Sequence, residues 1–301
     1  MRRLDNTHIR LLRVFVALAE AGSFADAQIT LNLAQSTLSS HIAALERFLG
    51  GPVCVRGRRG FRLTPLGEAT YTAARRLFAD IETFQQSVGK YYGQLIGRLR
   101  VGIVDGVVSS AHLGLQSAIG RYMAHAESVF IDLELGTPQH LEQAVADGRR
   151  DIVIGPFSQE APGVVYLPLH QELNGLYCGR SHPLFDLPSE KIDRAAIEQS
   201  LFSARSYRQL DDLYRVDHPR ASGCVAHMEA QVMMILSGRF IGFLPRYFGD
   251  QWADKGMMRA LKPEIYEYTS GHFIAYRKRD ADNQVIRVFI DELRDQADSA
   301  A

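Results

Sequence analysis

The sequence has 301 residues, of which 46% are hydrophobic and 23% are charged, and its 34 basic side chains equal its 34 acidic ones. This length and composition favour about two folded domains and exclude a mainly disordered chain. No apolar run is long enough to cross a bilayer, the first six residues lack the apolar stretch of a secretory signal, and the three cysteines are too far apart to suggest a disulfide framework or a metal clamp. We therefore expect a cytoplasmic protein.

Charge is distributed unevenly along the chain. Residues 1–98 carry 13 Lys and Arg against 7 Asp and Glu, whereas the rest of the chain carries an excess of acidic residues. A basic N-terminal part suggests a module that meets a polyanion, followed by a module that does not. Chance variation of a solvated surface explains such a difference about as well, so the order of the residues has to decide.

The first fifty residues predict three helices joined by short turns. Asn6 or Thr7 is a candidate cap for the first helix, Gly22 ends that helix, and Ser23 caps the second. After a tight turn at 32–34, the third helix begins with exposed polar residues, namely Gln35, Ser36, Thr37, Ser39 and Ser40. A narrow helix tip with hydrogen-bonding side chains suits the DNA major groove, so this region predicts a helix-turn-helix. An ordinary helical hairpin with a polar face is the alternative.

A basic hairpin is predicted directly after the third helix. Residues 53–56 and 61–64 alternate as strands, and a Gly-Arg-Arg-Gly turn connects them. Four guanidinium groups, those of Arg56, Arg58, Arg59 and Arg62, lie within seven residues. Arginines at such a position suit the phosphates and the negative potential of the minor groove. The hairpin therefore has the character of a wing beside a recognition helix.

Together these residues resemble the winged helix-turn-helix of LysR-type transcriptional regulators. The resemblance rests on Gly22-Ser23-Phe24, Leu31, Gln35, Ser39, Ile42, Leu45-Glu46, Leu49-Gly50, Val53, Arg56 and Leu63-Thr64-x-x-Gly67. The chain departs from the family pattern at six positions. Relatives often carry Ser at the position of Ala34, Pro at that of Ser36, Arg or Lys at those of Ser40, Ala43 and Ala44, and Phe at that of Cys54. A recognition helix poor in cations relies more on its wing. We expect contacts to double-stranded DNA from Ser23, Gln35, Ser36, Thr37, Ser39, Ser40, Arg56, Arg58 and Arg59.

A long helix is predicted from Pro65 to about Tyr92, with Thr64 as its cap. Its apolar positions recur at steps of four and three, namely Leu66, Thr70, Ala73, Leu77, Ile81, Phe84, Val88 and Tyr91. This is the spacing of a seam between two helices, although one amphipathic helix lying on its own domain is the alternative. The family resemblance favours a homodimer that pairs further into a tetramer, with a flexible joint from Gly89 to Gly97.

From Arg98 onward, strand and helix patterns alternate, which predicts a parallel sheet covered on both faces. Several segments resemble the effector-binding domain of the same family, which is similar to periplasmic solute-binding proteins: Val101-Gly102-Ile103, Gly136-Thr137, Gly148-x-x-Asp151-Ile152-Val153-Ile154, His182-Pro183-Leu184 and Gly238-Arg239-Phe240-Ile241-Gly242-Phe243-Leu244-Pro245. The resemblance implies an α/β protein, with a winged helix-turn-helix (1–64), a dimerisation helix and hinge (65–97), and a two-lobed effector domain (98–301). Its lobes comprise 98–167 plus 272–301, and 168–271, joined by two crossing strands.

A small molecule between such lobes lies near the C-terminal ends of strands and the N-termini of helices. The candidates are Asp105, Gly106, Val107, Ser109 and Thr137 in one lobe, and Phe202, Ser203, Arg205, His227, Met228 and Glu229 in the other, with 202–205 expected to be irregular. Arg205 is suited to a carboxylate, whereas Asp105 suits a hydroxyl or an amine. Anionic, aromatic and amino-acid-like effectors therefore all stay open. The simpler alternatives are that Thr137 caps a helix, Asp105 caps a turn, and Arg205 is a solvated cation.

The sequence contains no catalytic signature that we can identify. Its ten histidines show neither HxH nor HExxH spacing, and it has no P-loop, GxGxxG or GxSxG motif. We predict no catalytic residue, no metal site and no cofactor beyond an effector of unknown identity. The resemblance implies a transcriptional regulator that also contacts RNA polymerase. The alternative is a small-molecule carrier or enzyme domain fused to a helical module without specific DNA binding.

Overall fold

The computed structural model describes residues 3–57, 60–91, 94–110, 113–157 and 160–300. These residues form two compact units, Met1–Val88 and Gly89–Ala301. No helix in the described ranges combines the length and apolar character that a membrane crossing requires.

The N-terminal unit contains three short helices, a hairpin and most of a long helix. In chain order these are α1 (Asn6–Ala21), α2 (Phe24–Leu31), α3 (Gln35–Leu49), β1 (Cys54–Gly57), β2 (Gly60–Leu63) and α4 (Pro65–Tyr91). β1 and β2 pair antiparallel, with Cys54 opposite Leu63 and Gly57 opposite Gly60. The predicted helix-turn-helix, hairpin and long helix are all present.

Helix caps in this unit follow the sequence with one correction. Gly22 ends α1 in the left-handed conformation, as predicted. However, the cap at its start is Asp5 and not Asn6 or Thr7, because the backbone of Asp5 is extended and its carboxylate accepts a hydrogen bond from the His8 N–H at 3.0 Å. The His8 ring accepts in turn from the Asp5 N–H, which completes a capping box.

The hairpin is fixed to the start of α4 by Thr64 and Gly67. The Thr64 hydroxyl donates to the Pro52 carbonyl at 2.6 Å and accepts from the Gly67 N–H at 3.0 Å. A Cβ atom added at Gly67 would lie only 1.9 Å from the Val53 carbonyl oxygen. Glycine is therefore required here because the backbone of the hairpin approaches the helix too closely for any side chain.

Gly67→Ala is expected to lower the free energy of unfolding of the N-terminal unit by about 1–3 kcal/mol, because a backbone carbonyl has to move to admit the methyl group. Circular dichroism during urea unfolding measures the effect. The single tryptophan, Trp252, lies outside this unit, so its fluorescence transition should stay unchanged. Gly120→Ala is the matched control: a Cβ atom added at Gly120 would have no heavy atom within 4 Å, and alanine should slightly stabilise that helix. A Gly67→Ala protein that unfolds like the parent would contradict the close packing.

In its described residues, the C-terminal unit contains one nine-stranded sheet flanked by helices. Its elements are β3 (Ile96–Ile103), α5 (Leu115–His125), β4 (Ser128–Leu135), α6 (Pro138–Ala146), β5 (Ile152–Gly155), β6 (Val164–Gly179), α7 (Arg194–Glu198), β7 (Leu201–Arg205), α8 (Gln209–Val216), β8 (Gly223–Val225), α9 (Met228–Leu236), β9 (Phe240–Pro245), α10 (Arg246–Ala253), β10 (Met258–Ala260), α11 (Pro263–Tyr266), β11 (Tyr268–Arg277) and α12 (Gln284–Ala300). The strand order is β4-β3-β5-β11-β6-β9-β7-β8, with β10 also paired to β6.

This sheet supports two separate cores connected by two long strands. One core surrounds β3, β4 and β5 and includes Leu99, Tyr122 and Phe289. The other core lies around β6, β7 and β9 and consists of two clusters of buried residues, one that includes Phe202 and one that includes Tyr177. β6 and β11 pair with each other and run through both parts, because β11 also pairs with β5 while β6 also pairs with β9. The predicted α/β architecture with crossing strands is therefore confirmed. The sheet is mixed and not parallel throughout, however, because β6 and β11 run antiparallel to each other and, respectively, to β9 and β5.

Residues 201–205 correct the sequence prediction, because they form strand β7 and not an irregular stretch. Phe202, Ser203 and Ala204 are all fully buried, and Arg205 nearly so. Ser203 and Arg205 obscured the strand pattern, because polar residues are not expected to be buried unless their hydrogen-bond partners are known. The Ser203 hydroxyl, for example, donates to Gln231 at 2.7 Å. Helices α8 and α11 and strand β10 were not predicted either.

Candidate functional site

The N-terminal end of α3 presents an exposed polar surface. Leu38, Ile42 and Leu45 are buried on one side of the helix. The opposite side exposes Gln35, Ser36, Thr37 and Ser40, while Ser39 is half-buried. Ala34 occupies the cap position and offers no side-chain hydrogen bond. The first-turn N–H groups of α3 consequently have no side-chain cap, which suits an approaching anion.

The other predicted DNA contacts lie around this surface. Ser23 caps α2: its hydroxyl accepts from the Asp26 N–H at 3.0 Å and donates to the Asp26 carboxylate at 2.6 Å. Arg56 is in strand β1. Arg58 and Arg59, the predicted wing tip, lie outside the described residues. Arg62 on β2 is exposed.

A cavity lies between the two lobes of the C-terminal unit, beside the crossing strands. Its empty volume is about 310 Å³ including the open mouth, so the enclosed part admits only a small molecule. Its polar lining comprises Asp105, Glu172, Arg205, Tyr207, Arg208, Tyr247, Ser270 and His272. Val107 and Met228 contribute apolar surface. The site is thus strongly polar and carries both signs of charge.

Asp105 connects the two lobes across this cavity. It follows β3, and its Oδ2 accepts a hydrogen bond from the Met228 N–H at 2.7 Å, at the start of α9. The same oxygen lies 3.2 Å from His227 Nδ1. Burial raises the pKa of Asp105, whereas the hydrogen bond from Met228 and the charge of His227 oppose that rise. Asp105 therefore caps a helix of the opposite lobe, and not merely a local turn.

Arg205 is a buried cation whose charge is balanced within the protein. Its Nε and Nη2 donate to the two oxygens of Asp212 at 3.0 and 2.8 Å. It also donates to Asn174 at 3.3 Å and to the Tyr268 hydroxyl. The carboxylate that pairs with Arg205 is therefore that of Asp212, a residue of the protein itself, and not that of an effector. Arg208 lies on the same cavity lining, half-buried, with its guanidinium 5.4 Å from the Tyr268 ring centre.

The remaining predicted effector residues fall in several places. Thr137 caps α6 by accepting from the His140 N–H at 3.4 Å. Phe202 is in a hydrophobic core and Ser203 bonds to Gln231. The cavity lining contains Asp105, Val107, Arg205 and Met228 but not Gly106, Ser109, Thr137, Phe202, Ser203, His227 or Glu229.

Glu172 and two histidines form a cluster that the sequence analysis missed. The antiparallel register places His272 opposite His170 and Ser270 opposite Glu172. Donor atoms of His170, Glu172 and His272 lie within 4.8 Å of one another, a set that can hold a metal ion. Burial raises the pKa of Glu172 to about 7 and lowers that of His272 to about 3. No sequence motif indicates this cluster, because only the pairing of β6 with β11 brings the histidines together.

Comparison with known proteins decides the family. Residues 9–68 match the bacterial regulatory helix-turn-helix protein of the lysR family, and residues 93–298 match the LysR substrate binding domain. The HTH-type transcriptional activator BauR of Pseudomonas aeruginosa is 34% identical over 293 residues, which span 96% of this chain and 95% of that relative. The chain belongs to the LysR family of transcriptional regulators. This LysR-type regulator therefore has a DNA-binding helix-turn-helix and a domain of the effector-binding class, as the resemblance implied.

Solved structures agree with this fold. A full-length OxyR variant from Pseudomonas aeruginosa superposes with a TM-score of 0.62 at 21% identity, covering 98% of the LysR-type regulator described here and 96% of OxyR. Full-length CbnR in complex with its target DNA superposes with a TM-score of 0.50 at 19% identity, covering 96% and 99%. The family assignment favours a regulator over a carrier or enzyme fused to a helical module.

Proposed function

We propose that this regulator recognises a specific duplex site with the leading face of α3 and with its arginine-rich wing. The observation that carries the proposal is the exposed, uncapped polar start of α3, formed by Gln35, Ser36, Thr37 and Ser40. Gln35, Ser36, Ser39 and Ser40 contact bases or nearby phosphates, and Arg56, Arg58 and Arg59 hold the backbone and the minor groove. Ser23 supports this surface as the cap of α2. Residues 1–64 form the DNA-binding domain.

We propose that residues 65–97 pair two copies of the chain. The first half of α4 packs on its own unit, where Ala74 is buried and Leu77 is partly buried. Further along, Phe84 is 69% exposed and Val88 is 43% exposed. Apolar residues at this spacing are covered when a second helix packs against them. A homodimer places two recognition helices on one palindromic site, and two dimers form a tetramer.

The cavity between residues 98–167 plus 272–301 and residues 168–271 is the proposed effector site. A small molecule that binds there changes the arrangement of the subunits only through different affinities for the two arrangements. Asp105, which connects the lobes through Met228, lies at the point where such a difference arises. The proposed outcome is altered DNA bending and contact with RNA polymerase in the cytoplasm, with no catalysis.

Replacing Arg58 and Arg59 by alanine is expected to weaken binding to all DNA sequences, because the wing neutralises phosphates. The plot of log affinity against log salt should become less steep by up to about two units. Fluorescence anisotropy with a duplex selected from a random pool, at several salt concentrations, measures the slope. Gln35→Ala should instead change the relative affinities of different sequences.

Lys278→Ala with Arg279→Ala is the matched control for charge. These two adjacent cations are exposed in the C-terminal unit, so their removal changes the net charge equally but should leave the slope unchanged. If the control flattens the slope as much as the wing variant does, the wing has no specific part in DNA binding. If the purified protein selects no duplex even at low ionic strength, the DNA-recognition proposal is wrong.

A further inference from the structure

Two nearly buried carboxylates line the proposed effector cavity, and in the described part of the chain neither has an arginine or lysine nitrogen within 4 Å. Asp105 is 8% exposed and Glu172 is 6% exposed. Within the described part of the chain, their ion-pair partners are histidines, with His227 at 3.2 Å from Asp105 and His272 at 3.7 Å from Glu172. Burying a carboxylate is costly unless an opposite charge and hydrogen bonds compensate. The cavity is therefore prepared for a cation.

His272 adds a hydrogen-bond acceptor to the same lining. Its ring is 3% exposed, and its Nδ1 atom has no hydrogen-bond partner among the described residues. The Nε2 atom of His272 lies 3.7 Å from Glu172, which leaves Nδ1 as the ring nitrogen available to accept a hydrogen bond from a ligand. Asp105, Glu172 and His272 together offer acceptors for the three N–H groups of an ammonium.

Arg208 supplies the opposite charge on the same lining. Arg205 is already engaged by Asp212, whereas Arg208 has no ion pair within 4 Å among the described residues. Its guanidinium is half-buried and lies over the Tyr268 ring. Such a planar donor group binds a carboxylate through two parallel hydrogen bonds. One small cavity thus combines an acceptor-rich acidic part with an unpaired guanidinium.

We propose that the effector is a small amino acid. Its ammonium group binds Asp105, Glu172 and His272, and its carboxylate binds Arg208. This inference rests on the proposed effector site and specifies the class of its ligand. The cavity volume of about 310 Å³, open mouth included, favours a small ligand, and a purely anionic ligand would add a further negative charge beside the two carboxylates.

The test uses the full-length protein and isothermal titration calorimetry, after a thermal-shift screen. The probes are the standard amino acids and unbranched ω-amino acids of three to six carbons. Each binder is compared with the carboxylic acid that lacks its amine and with the amine that lacks its carboxylate. We expect both truncated compounds to bind at least about tenfold more weakly. Each of the substitutions Asp105→Asn, Glu172→Gln and Arg208→Gln should lower the affinity for the amino acid by about tenfold or more.

Arg215→Gln is the matched control for Arg208. The Arg215 guanidinium lies 3.7 Å from the centre of the same Tyr268 ring, but Arg215 is absent from the cavity lining. Its substitution should therefore leave affinity for the amino acid unchanged. Equal losses in Arg208→Gln and Arg215→Gln would show that support of Tyr268, and not a carboxylate contact, explains the effect.

Three results would overturn the inference. They are an organic acid that binds as tightly as its amino derivative, no thermal shift with any amino acid, and a Zn²⁺-dependent shift that requires His170, Glu172 and His272. DNA binding is measured in parallel on the same preparations. If another compound binds and Glu172→Gln or Arg208→Gln abolishes its binding, the effector site stands and the amino-acid class is wrong. If none of the cavity substitutions affects any ligand that binds, the proposed effector site is wrong as well.

Discussion

Asp212→Ala is expected to lower the free energy of unfolding of the C-terminal unit by about 3–5 kcal/mol. Asp212 is fully buried and accepts two hydrogen bonds from the guanidinium of Arg205, which is itself only 3% exposed. Removing the carboxylate leaves a buried guanidinium whose remaining hydrogen bonds among the described residues go to Asn174 and the Tyr268 hydroxyl. The desolvation of Arg205 is then no longer offset by a paired, hydrogen-bonded carboxylate, which is the reason for the large effect.

Urea unfolding of the full chain, followed by Trp252 fluorescence, measures this loss, because the only tryptophan lies on α10 in this unit. The control is Glu198→Ala, which removes the 2.8 Å contact to Arg194 on the surface and should leave the transition unchanged. A double variant, Arg205→Met with Asp212→Leu, should recover a large part of the stability because it removes both charges. If Asp212→Ala unfolds like the parent, the pair does not carry a buried, unsolvated charge.

The N-terminal unit was predictable because its signals are local. Apolar residues at helical spacing define α1 and α3, and the glycines at 22 and 50 end them in left-handed conformations. The strands of the wing alternate clearly on both sides of a glycine-arginine turn. Even the correction at Asp5 is a shift of one residue, since several neighbouring polar residues can serve as a cap. Each of these features depends on residues fewer than about ten positions apart in the sequence.

The cavity was only partly predictable because its geometry depends on long-range pairs. The sequence places Asp105 and Arg205 at strand ends, where a ligand is expected. It cannot show that Asp105 accepts from Met228, or that Arg205 is engaged by Asp212. Glu172 and His272 lie within two long strands, whose register alone brings them together. Polar residues inside strands were therefore the ones missed, because their partners are distant in sequence.

Glu172→Gln is expected to make the C-terminal unit more stable above neutral pH. Burial raises the pKa of Glu172 from an ordinary value of 4.5 to about 7, against the opposing influence of Arg205, Tyr247 and Arg208. Between these two values the folded protein holds a proton that the unfolded chain has released. Stability is therefore fully present below pH 4.5 and is lost progressively as pH rises through about 7. The total loss is about 3 kcal/mol, and glutamine, which does not ionise, avoids it.

Unfolding curves followed by Trp252 fluorescence between pH 5.5 and pH 8.5 check this prediction. The advantage of Glu172→Gln should increase from about 1 kcal/mol at the acidic end to about 3 kcal/mol at the basic end. Glu190→Gln, at an exposed carboxylate of the same unit, is the control and should show no such dependence on pH. A constant difference between Glu172→Gln and the parent would mean that Glu172 is ionised throughout this range. The same substitution removes an acceptor for the proposed ammonium. If the Glu172→Gln protein is more stable but no longer responds to its effector, then Glu172 is needed for effector binding and not for stability.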